Sequence, residues 1–372
     1  MPLTVVQTLP ALDVGGVERG TLEVAAELVR KGHRSIVISA GGRLVDRLIK
    51  DGSEHFTMPI GKKSFFTLKY IARLRRYLSE QNVSILHARS RLPAWISYLA
   101  WKGMDPGKRP CFVTTVHGPY TVNRYSKIMT RGQRVIAISG FIRDYIIENY
   151  PDTDKDRIEI IYRGVSRDQF PYGFRPSQDW MDKWRAQYPA LSGKFIITLP
   201  ARVTPWKGQE DFIKIVVSAL REDLPVHGLV AGGYHSSRAS FFKQLRTRVG
   251  NAKIDKHITF LGHRNDLREI MSVSDTVLSL AKIPEAFGRT ALESLCLGTP
   301  VIAYDHGGAA EVLKEIFPRG LIKPHDIKDA TMKLMEFYKM RPVVPAHNPF
   351  TLEKMLEKTI HLYEKLSETA PA

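Results

Sequence analysis

Twice along the chain, short runs of β-branched and aliphatic residues alternate with amphipathic stretches long enough for helices, and this rhythm restricts the fold more than any single motif. Leu3–Leu9, Ser35–Ser39, Ser84–His87, Phe112–Val116 and Val135–Ile138 read as strands, with helix patterns near 17–31, 66–80, 91–102 and 139–149 between them. Apolar strands separated by helices build a parallel sheet covered on both faces. The pattern restarts at Phe195–Leu199, Val226–Val230, Ile258–Leu261, Val277–Leu280 and Val301–Tyr304. A chain of 372 residues exceeds what one such core absorbs, so two doubly wound, Rossmann-like α/β domains facing a cleft are expected. A Pro-, Gly- and Tyr-containing stretch at Tyr172–Gln178 places the linker within 165–180. The expected divisions are a first domain over 1–168, a second over 169–348 and a final helix over 349–372. In that last stretch Leu352, Met355, Leu356, Thr359, Leu362, Tyr363 and Leu366 recur at helical spacing.

Composition excludes several classes. Hydrophobic residues at 43% and charged residues at 25% are those of a globular chain, and no apolar run is long enough to cross a bilayer as a helix. The segment Met1–Val6 lacks the features of a secretory signal and runs straight into a strand pattern, so the chain is expected to start there. Only Cys111 and Cys296 are present, too few for a disulfide scaffold or thiolate cluster, which points to a reducing, cytoplasmic setting. The net charge of +17 calls for an anionic partner. The excess is regional: residues 1–140 carry 22 basic and 9 acidic side chains.

In doubly wound folds, ligands bind at the carboxyl ends of the strands, so the loops there are the places to look for chemistry. After the first strand, Asp13-Val14-Gly15-Gly16-Val17-Glu18-Arg19 leads into a helix. Paired glycines let backbone N–H groups approach a phosphate at a helix start, although they equally suit a plain tight turn. In residues 201–213, Arg202 and Lys207 follow a buried strand, and Pro205 and Gly208 bend the loop between strand and helix. Two cations converging on one anion would clamp a diphosphate; two solvated surface cations is the plainer reading. The most specific segment is 284–303, where Glu285 precedes a helix opened by Gly288 and closed by Gly298, and Glu293 lies inside it. Carboxylates on either side of an anion-binding helix end suit hydroxyl-rich groups flanking a phosphate. They also suit a dipole complement and a solvated helix residue.

Gly15-Gly16-Val17-Glu18-Arg19, Thr115-Val116-His117-Gly118, Arg202 with Lys207-Gly208, and Pro284–Thr290 with Glu293 together resemble the retaining glycosyltransferases of family four, which have the GT-B fold. The likeness runs through nearly the whole chain in the family's order, and its Glu-x7-Glu segment is the most diagnostic part. Gly15–Glu23 and His87–Trp95 further resemble bacterial enzymes that extend the lipopolysaccharide core. The resemblance implies that Arg202 and Lys207 bind the diphosphate of a nucleotide sugar, with Gly15, Gly16, Arg289 and Thr290 contributing around it. It implies that Glu293 holds the ribose hydroxyls, that Glu285 with Phe287 and Gly288 holds the sugar ring, and that His117 reaches the donor sugar and reacting centre. His117 also suits a buried structural histidine. The final helix is implied to cross back onto the first domain, and closure of the two domains to exclude water.

The expected activity is therefore retaining transfer of a hexose, from UDP-glucose or a related UDP-hexose, to a lipid-linked saccharide such as the lipopolysaccharide core. Its catalytic set is His117, Arg202, Lys207 and Glu285. Negative charge develops on the departing nucleoside diphosphate, where fixed cations and a helix end act most strongly. No carboxylate stands in an obvious nucleophile position, which favours front-side attack. Alternatives are a GT-B enzyme with a soluble acceptor, or a 2-epimerase. Nucleic-acid binding is not expected, because no recognition motif accompanies the basic charge. No cofactor or metal is expected. Asp152-Thr153-Asp154 has a metal-diphosphate form but lies in a polar loop, and His257 and His263 lack zinc-pair spacing.

The stretch Lys62–Leu78 combines an apolar stripe at Leu68, Ile71, Leu74 and Leu78 with basic positions 69, 73 and 76. It suits an anionic membrane surface at the inner face of the cytoplasmic membrane, and equally a core-facing helix with solvated cations. Arg89, Arg91, Arg124, Lys127, Arg131 and Arg134 are expected to add acceptor-side charge.

Overall fold

The computed structural model describes residues 2–13 and 15–368. The chain forms two compact units, one from the N-terminus to Tyr162 together with the segment from Glu353 onward, the other from Arg163 to Leu352. Each is built on one parallel sheet with helical crossovers, the arrangement expected from the alternating pattern.

In the first unit the strands are β1 (Thr4–Thr8), β2 (Arg34–Ser39), β3 (Glu54–Thr57), β4 (Ile85–Ala88), β5 (Cys111–Val116), β6 (Arg134–Ala137) and β7 (Ile158–Ile160), in the order β3-β2-β1-β4-β5-β6-β7. Val6 sits opposite both Ile36 on β2 and Leu86 on β4, so β1 is central. Being central, it is fully buried from Val5 to Thr8. The order reverses direction at β1, which makes the carboxyl ends of β1 and β4 a topological switch point.

The second unit contains β8 (Phe195–Leu199), β9 (Val226–Ala231), β10 (Ile258–Gly262), β11 (Thr276–Ser279), β12 (Val301–Tyr304) and β13 (Leu321–Ile322), in the order β10-β9-β8-β11-β12-β13. Its switch point lies between β8 and β11, the two strands whose following loops carry the motifs at 201–208 and 281–288. A satellite core of Trp184, Ile196, Leu229 and Ile270, with Trp180 and Tyr188 against it, covers one face.

The stretch expected to be a linker is tied into the second unit by specific hydrogen bonds. Val165 N–H donates to Phe350 O and Leu352 N–H to Val165 O, both at 3.1 Å, while the Tyr172 hydroxyl donates to Val344 O at 2.7 Å. A loop rich in Pro, Gly and Tyr thus packs by its aromatic residue and does not hang free.

The last helix, Leu352–Glu368, buries Met355, Leu356, Thr359, Ile360, Leu362, Tyr363 and Leu366, and belongs from Glu353 onward to the first unit. The Tyr363 hydroxyl shares a 2.6 Å hydrogen bond with His87 Nδ1, and Cys111 Sγ lies 3.3 Å from Leu366 O. Among the described residues, no helix is long and apolar enough to cross a membrane.

The stretch after Lys62 is a 3-10 turn, Phe65–Lys69, followed by the helix Tyr70–Glu80. Leu74 and Leu78 enter the core, but Leu68 does not continue their stripe and is exposed. The tighter 3-10 winding rotates it off the face that an α-helical period would give it.

Candidate active site

The second unit brings four of the sequence motifs' side chains into two ion pairs at its switch point. Gly208, at φ 84°, ends the loop after β8 and starts the helix Gln209–Arg221. A side chain there would run into the Leu280 carbonyl at the end of β11, so only glycine permits this close crossing of the two loops. Gly288, at φ 78°, does the same for the helix Arg289–Cys296, where an added Cβ would lie 2.5 Å from Ala309 Cα. Two helix N-termini are thereby aimed from adjacent strand ends, and each offers unsatisfied N–H groups and a favourable dipole to an anion.

Between them, the Lys207 ammonium donates to a Glu285 carboxylate oxygen, and both side chains are mostly shielded, 21% and 13% exposed. Lys207 Nζ also stands 4.4 Å from the centre of the Trp206 ring, whose carbonyl accepts from Lys282 N–H at 2.7 Å. Arg202, on the same loop, is exposed, and its carbonyl accepts from Gln209 Nε2 at 2.9 Å. The structure thus joins Lys207 to Glu285 and leaves the Arg202 guanidinium at the surface of the same loop. Lys282, outside the sequence motifs, lies 2.5 Å from Glu210, which also meets Arg248 at 2.9 Å.

One turn further, Arg289 Nε donates to Glu293 Oε1 at 3.0 Å. Glu293 is buried and is not a solvated helix residue, and the Arg289 guanidinium supplies its counter-charge. Thr290 is half-buried, and its carbonyl accepts from the Ser294 hydroxyl at 2.8 Å. Phe287 is buried and packs edge-on to Phe350 at 5.8 Å.

A third helix start completes this loop cluster, and it was not singled out in the sequence. Gly307 adopts φ 63° after β12, and Gly308 N–H donates to the Glu285 carbonyl at 2.7 Å. A Cβ on Gly308 would meet Phe287, so the Glu285–Gly288 loop lies directly on the helix Gly307–Ile316. His306 Nε2 lies 2.8 Å from Ala281 O and ties down the other end of the loop. The available signal was the paired glycine Gly307-Gly308 directly after a strand pattern.

Cys296, at the end of the Arg289 helix, has its thiol pushed up to about 11 by burial and then by the charge of Glu293. Burial and the neighbouring carboxylate both disfavour the thiolate at this position.

In the first unit, Gly15 and Gly16 lie at the carboxyl end of β1, where the helix Gly16–Arg30 begins. Gly15 has an extended backbone, and a Cβ added at Gly16 would meet nothing within 4 Å. Packing therefore does not require a glycine at position 16; what its absent side chain provides is room at an exposed helix start. His117 follows β5, two strands from β1 in the sheet, with its N–H donating to the Tyr120 hydroxyl at 3.3 Å. The two loops share the carboxyl edge of the sheet, with the end of β4 between them.

That intervening position holds Arg89, which departs from expectation. Instead of lining a surface it is buried, with Nη1 donating to Gln7 Oε1 at 2.7 Å. Burial holds its pKa below the ordinary guanidinium value. Beside it His87, also buried, bridges the Tyr363 hydroxyl and Thr115 Oγ1, the latter at 2.7 Å, so one imidazole links β4, β5 and the last helix. Of the other expected acceptor-side cations, Arg91 lies over the rings of Tyr120 and Tyr125 at 4.8 and 5.5 Å, and Lys127 pairs with Asp152 at 2.5 Å. Asp152 is thus an ion-pair partner, and Asp154 caps its own turn by accepting from Asp156 N–H at 3.0 Å.

Comparison with known proteins gives two adjoining family matches: Glycosyltransferase Family 4 over residues 14–169 and Glycosyl transferases group 1 over residues 181–351. A glycosyltransferase from Rickettsia africae ESF-5 is 31% identical in sequence, with 99% of each chain covered and a TM-score of 0.87. Anabaena Alr3699/HepE, solved with UDP and glucose, is 18% identical over 97% of this chain and 99% of its own, with a TM-score of 0.80. WaaG, a glycosyltransferase involved in lipopolysaccharide biosynthesis, is 16% identical over 99% and 98% of the two chains, with a TM-score of 0.66. Two parallel-sheet units of this kind are the GT-B architecture.

Proposed function

The chain belongs to the glycosyltransferases, and on that premise we propose that it moves a hexose from a UDP-sugar to a lipid-linked saccharide, with retention at the anomeric carbon. The observation that carries the proposal is the Lys207–Glu285 pair set between two glycine-started helices at the β8/β11 switch point. A cation and a carboxylate side by side match the two chemistries of a nucleotide sugar, an anionic diphosphate joined to a ring of hydroxyls. A bound diphosphate takes over the charge that Glu285 meets here, and Glu285 turns to accept from sugar hydroxyls.

In this reading Lys207 and Arg202 hold the diphosphate, with the N–H groups at Arg289 and Thr290 at the start of the adjoining helix. As the bond from anomeric carbon to diphosphate breaks, negative charge grows on the leaving oxygen, and these fixed donors stabilise it more than they stabilise the intact donor. Glu285 with the Phe287 and Gly288 amides orients the ring, Glu293 with Arg289 takes the ribose, and His117 acts on the donor sugar, the role the resemblance gives it. The acceptor hydroxyl enters on the face the diphosphate leaves and passes its proton to the departing phosphate oxygen, which retains configuration without an enzyme nucleophile. The reaction proceeds with no metal, because side-chain cations neutralise the diphosphate. UDP-hexose as donor is supported by the UDP and glucose bound to the Anabaena neighbour, and the lipopolysaccharide core as acceptor by the role of WaaG. The proposed place of action is the inner face of the cytoplasmic membrane.

A thermal-shift screen with UDP, GDP, ADP and CMP, each with Mg²⁺ and with EDTA, tests the donor side. Ligand at a hundredfold its dissociation constant adds about 2.7 kcal/mol of stability. Selective stabilisation by UDP that survives EDTA is the expected result; stabilisation by GDP or ADP alone would reassign the donor, and none at all would remove the diphosphate site. Anomeric configuration of the product by NMR then tests retention.

A further inference from the structure

Phe65, Phe66 and Leu68 are 93%, 80% and 54% exposed, three of the four side chains at positions 65–68. Single exposed apolar residues are ordinary, but three on one short turn form a patch. The turn is held in this shape and is not a slack loop. Ser64 Oγ accepts from Phe66 N–H at 3.3 Å, the buried Thr67 donates its hydroxyl to Lys62 O at 2.5 Å, and Leu74 and Leu78 fix the following helix in the core. With Thr67 turned inward, the neighbouring phenylalanines project outward on a fixed base.

The surroundings identify what they would meet. From Pro59 to Glu80 the chain carries six cations, Lys62, Lys63, Lys69, Arg73, Arg75 and Arg76, against one carboxylate, Glu80, which pairs with Arg76 at 3.4 Å. All six are exposed. A second copy of the same patch would bring like charges together, which argues against self-association. A single-stranded nucleic acid would use aromatic faces for stacking but has no use for the aliphatic Leu68. An anionic bilayer satisfies both halves, its acyl boundary taking Phe65, Phe66 and Leu68 and its phosphates taking the exposed cations of the same stretch.

We propose that the turn Phe65–Lys69 is a membrane wedge, by which the protein seats its first unit on an anionic lipid surface, with the Tyr70–Glu80 helix supplying the charge. The proposal rests on the lipid-linked-acceptor reading for its purpose, but its test does not depend on turnover. Wild-type protein is sedimented with vesicles of phosphatidylethanolamine containing about 30% phosphatidylglycerol, and with neutral phosphatidylcholine vesicles. Binding to the anionic vesicles, at least tenfold stronger than to neutral ones, is expected. Phe65→Ser/Phe66→Ser should lower it at least tenfold while leaving the UDP thermal shift unchanged, and Phe66→Trp should restore binding and be quenched by brominated acyl chains. Undiminished binding of the double serine variant would overturn the wedge, as would failure of the wild type to bind, displacement by a single-stranded oligonucleotide at equal phosphate, or loss of binding through dimer formation. A UDP shift that persists when vesicle binding fails keeps the transferase reading; loss of the UDP shift with vesicle binding intact removes that reading and leaves the wedge.

Discussion

The Tyr363 hydroxyl lies 2.6 Å from His87 Nδ1 although 276 residues separate the two, so the end of the chain completes the polar interior of the first sheet. The imidazole has Thr115 Oγ1 on its other nitrogen at 2.7 Å, and both rings are buried. Tyr363→Phe removes this buried hydrogen bond from the His87 ring. It should cost about 0.5–1.5 kcal/mol of unfolding free energy, the usual net worth of one intramolecular hydrogen bond. Urea unfolding checks this, and a UDP thermal shift of unchanged size would separate a structural loss from one at the donor site.

Lys207→Ala removes the shielded cation of the Lys207–Glu285 pair. If that cation stabilises the departing diphosphate, turnover should fall on the order of 10²–10³-fold, as for other preorganised charge-stabilising donors, with near-normal circular dichroism. Near-normal turnover would take Lys207 out of the mechanism.

Glu285→Gln separates two roles that Glu285→Ala would blur. Free of its carboxylate partner, Lys207 has its full charge available to a phosphate, so affinity for UDP alone should hold or rise. Use of the UDP-sugar should fall, because an amide is a weaker acceptor for sugar hydroxyls than a carboxylate. Calorimetry with UDP and steady-state rates with the donor give the two numbers. Equal losses in both would contradict the sugar contact.

Much of this was legible because most buried strands carry a short run dominated by aliphatic and β-branched residues. Phe195–Leu199 and Val301–Tyr304 are found with the bounds their runs imply. The strands that periodicity missed, Glu54–Thr57, Ile158–Ile160 and Leu321–Ile322, all lie at sheet edges, where one side is unpaired and a polar or two-residue segment suffices. The donor loops could be read from glycine, cation and carboxylate at strand ends. The pairing of Lys207 with Glu285 could not, since it depends on β8 and β11 becoming neighbours across 78 residues of sequence. Arg89 misled for a similar reason: beside Arg91 it reads as surface charge, and only the folded position of Gln7, 82 residues earlier, shows why it can be buried.

Gly288→Ala tests whether the helix start is forced by backbone geometry. Its φ of 78° disfavours any side chain, and the added methyl would sit 2.5 Å from Ala309 Cα, on backbone that cannot swing away. Strain and overlap together should destabilise the second unit by more than about 2 kcal/mol and weaken UDP binding through displaced amides. Gly16→Ala is the contrast: its Cβ has open space, so stability should hold while any loss appears in donor affinity.

His227 on β9 sets a pH dependence. It is buried, with Nε2 2.9 Å from Thr259 Oγ1, and burial lowers its pKa to about 4, with a smaller push from His257. In the unfolded chain it titrates near the ordinary value of about 6.5. Between those values the unfolded state binds a proton that the folded state refuses, so stability falls as pH drops from about 6.5 towards about 4 and its share levels off below. The slope from this one residue is at most about 1.4 kcal/mol per pH unit. Urea midpoints for wild type and His227→Asn across pH 7 to 4 should therefore converge as the solution is acidified, because the variant lacks this acid-linked loss. Parallel curves would mean that the buried imidazole takes up its proton without resisting the fold.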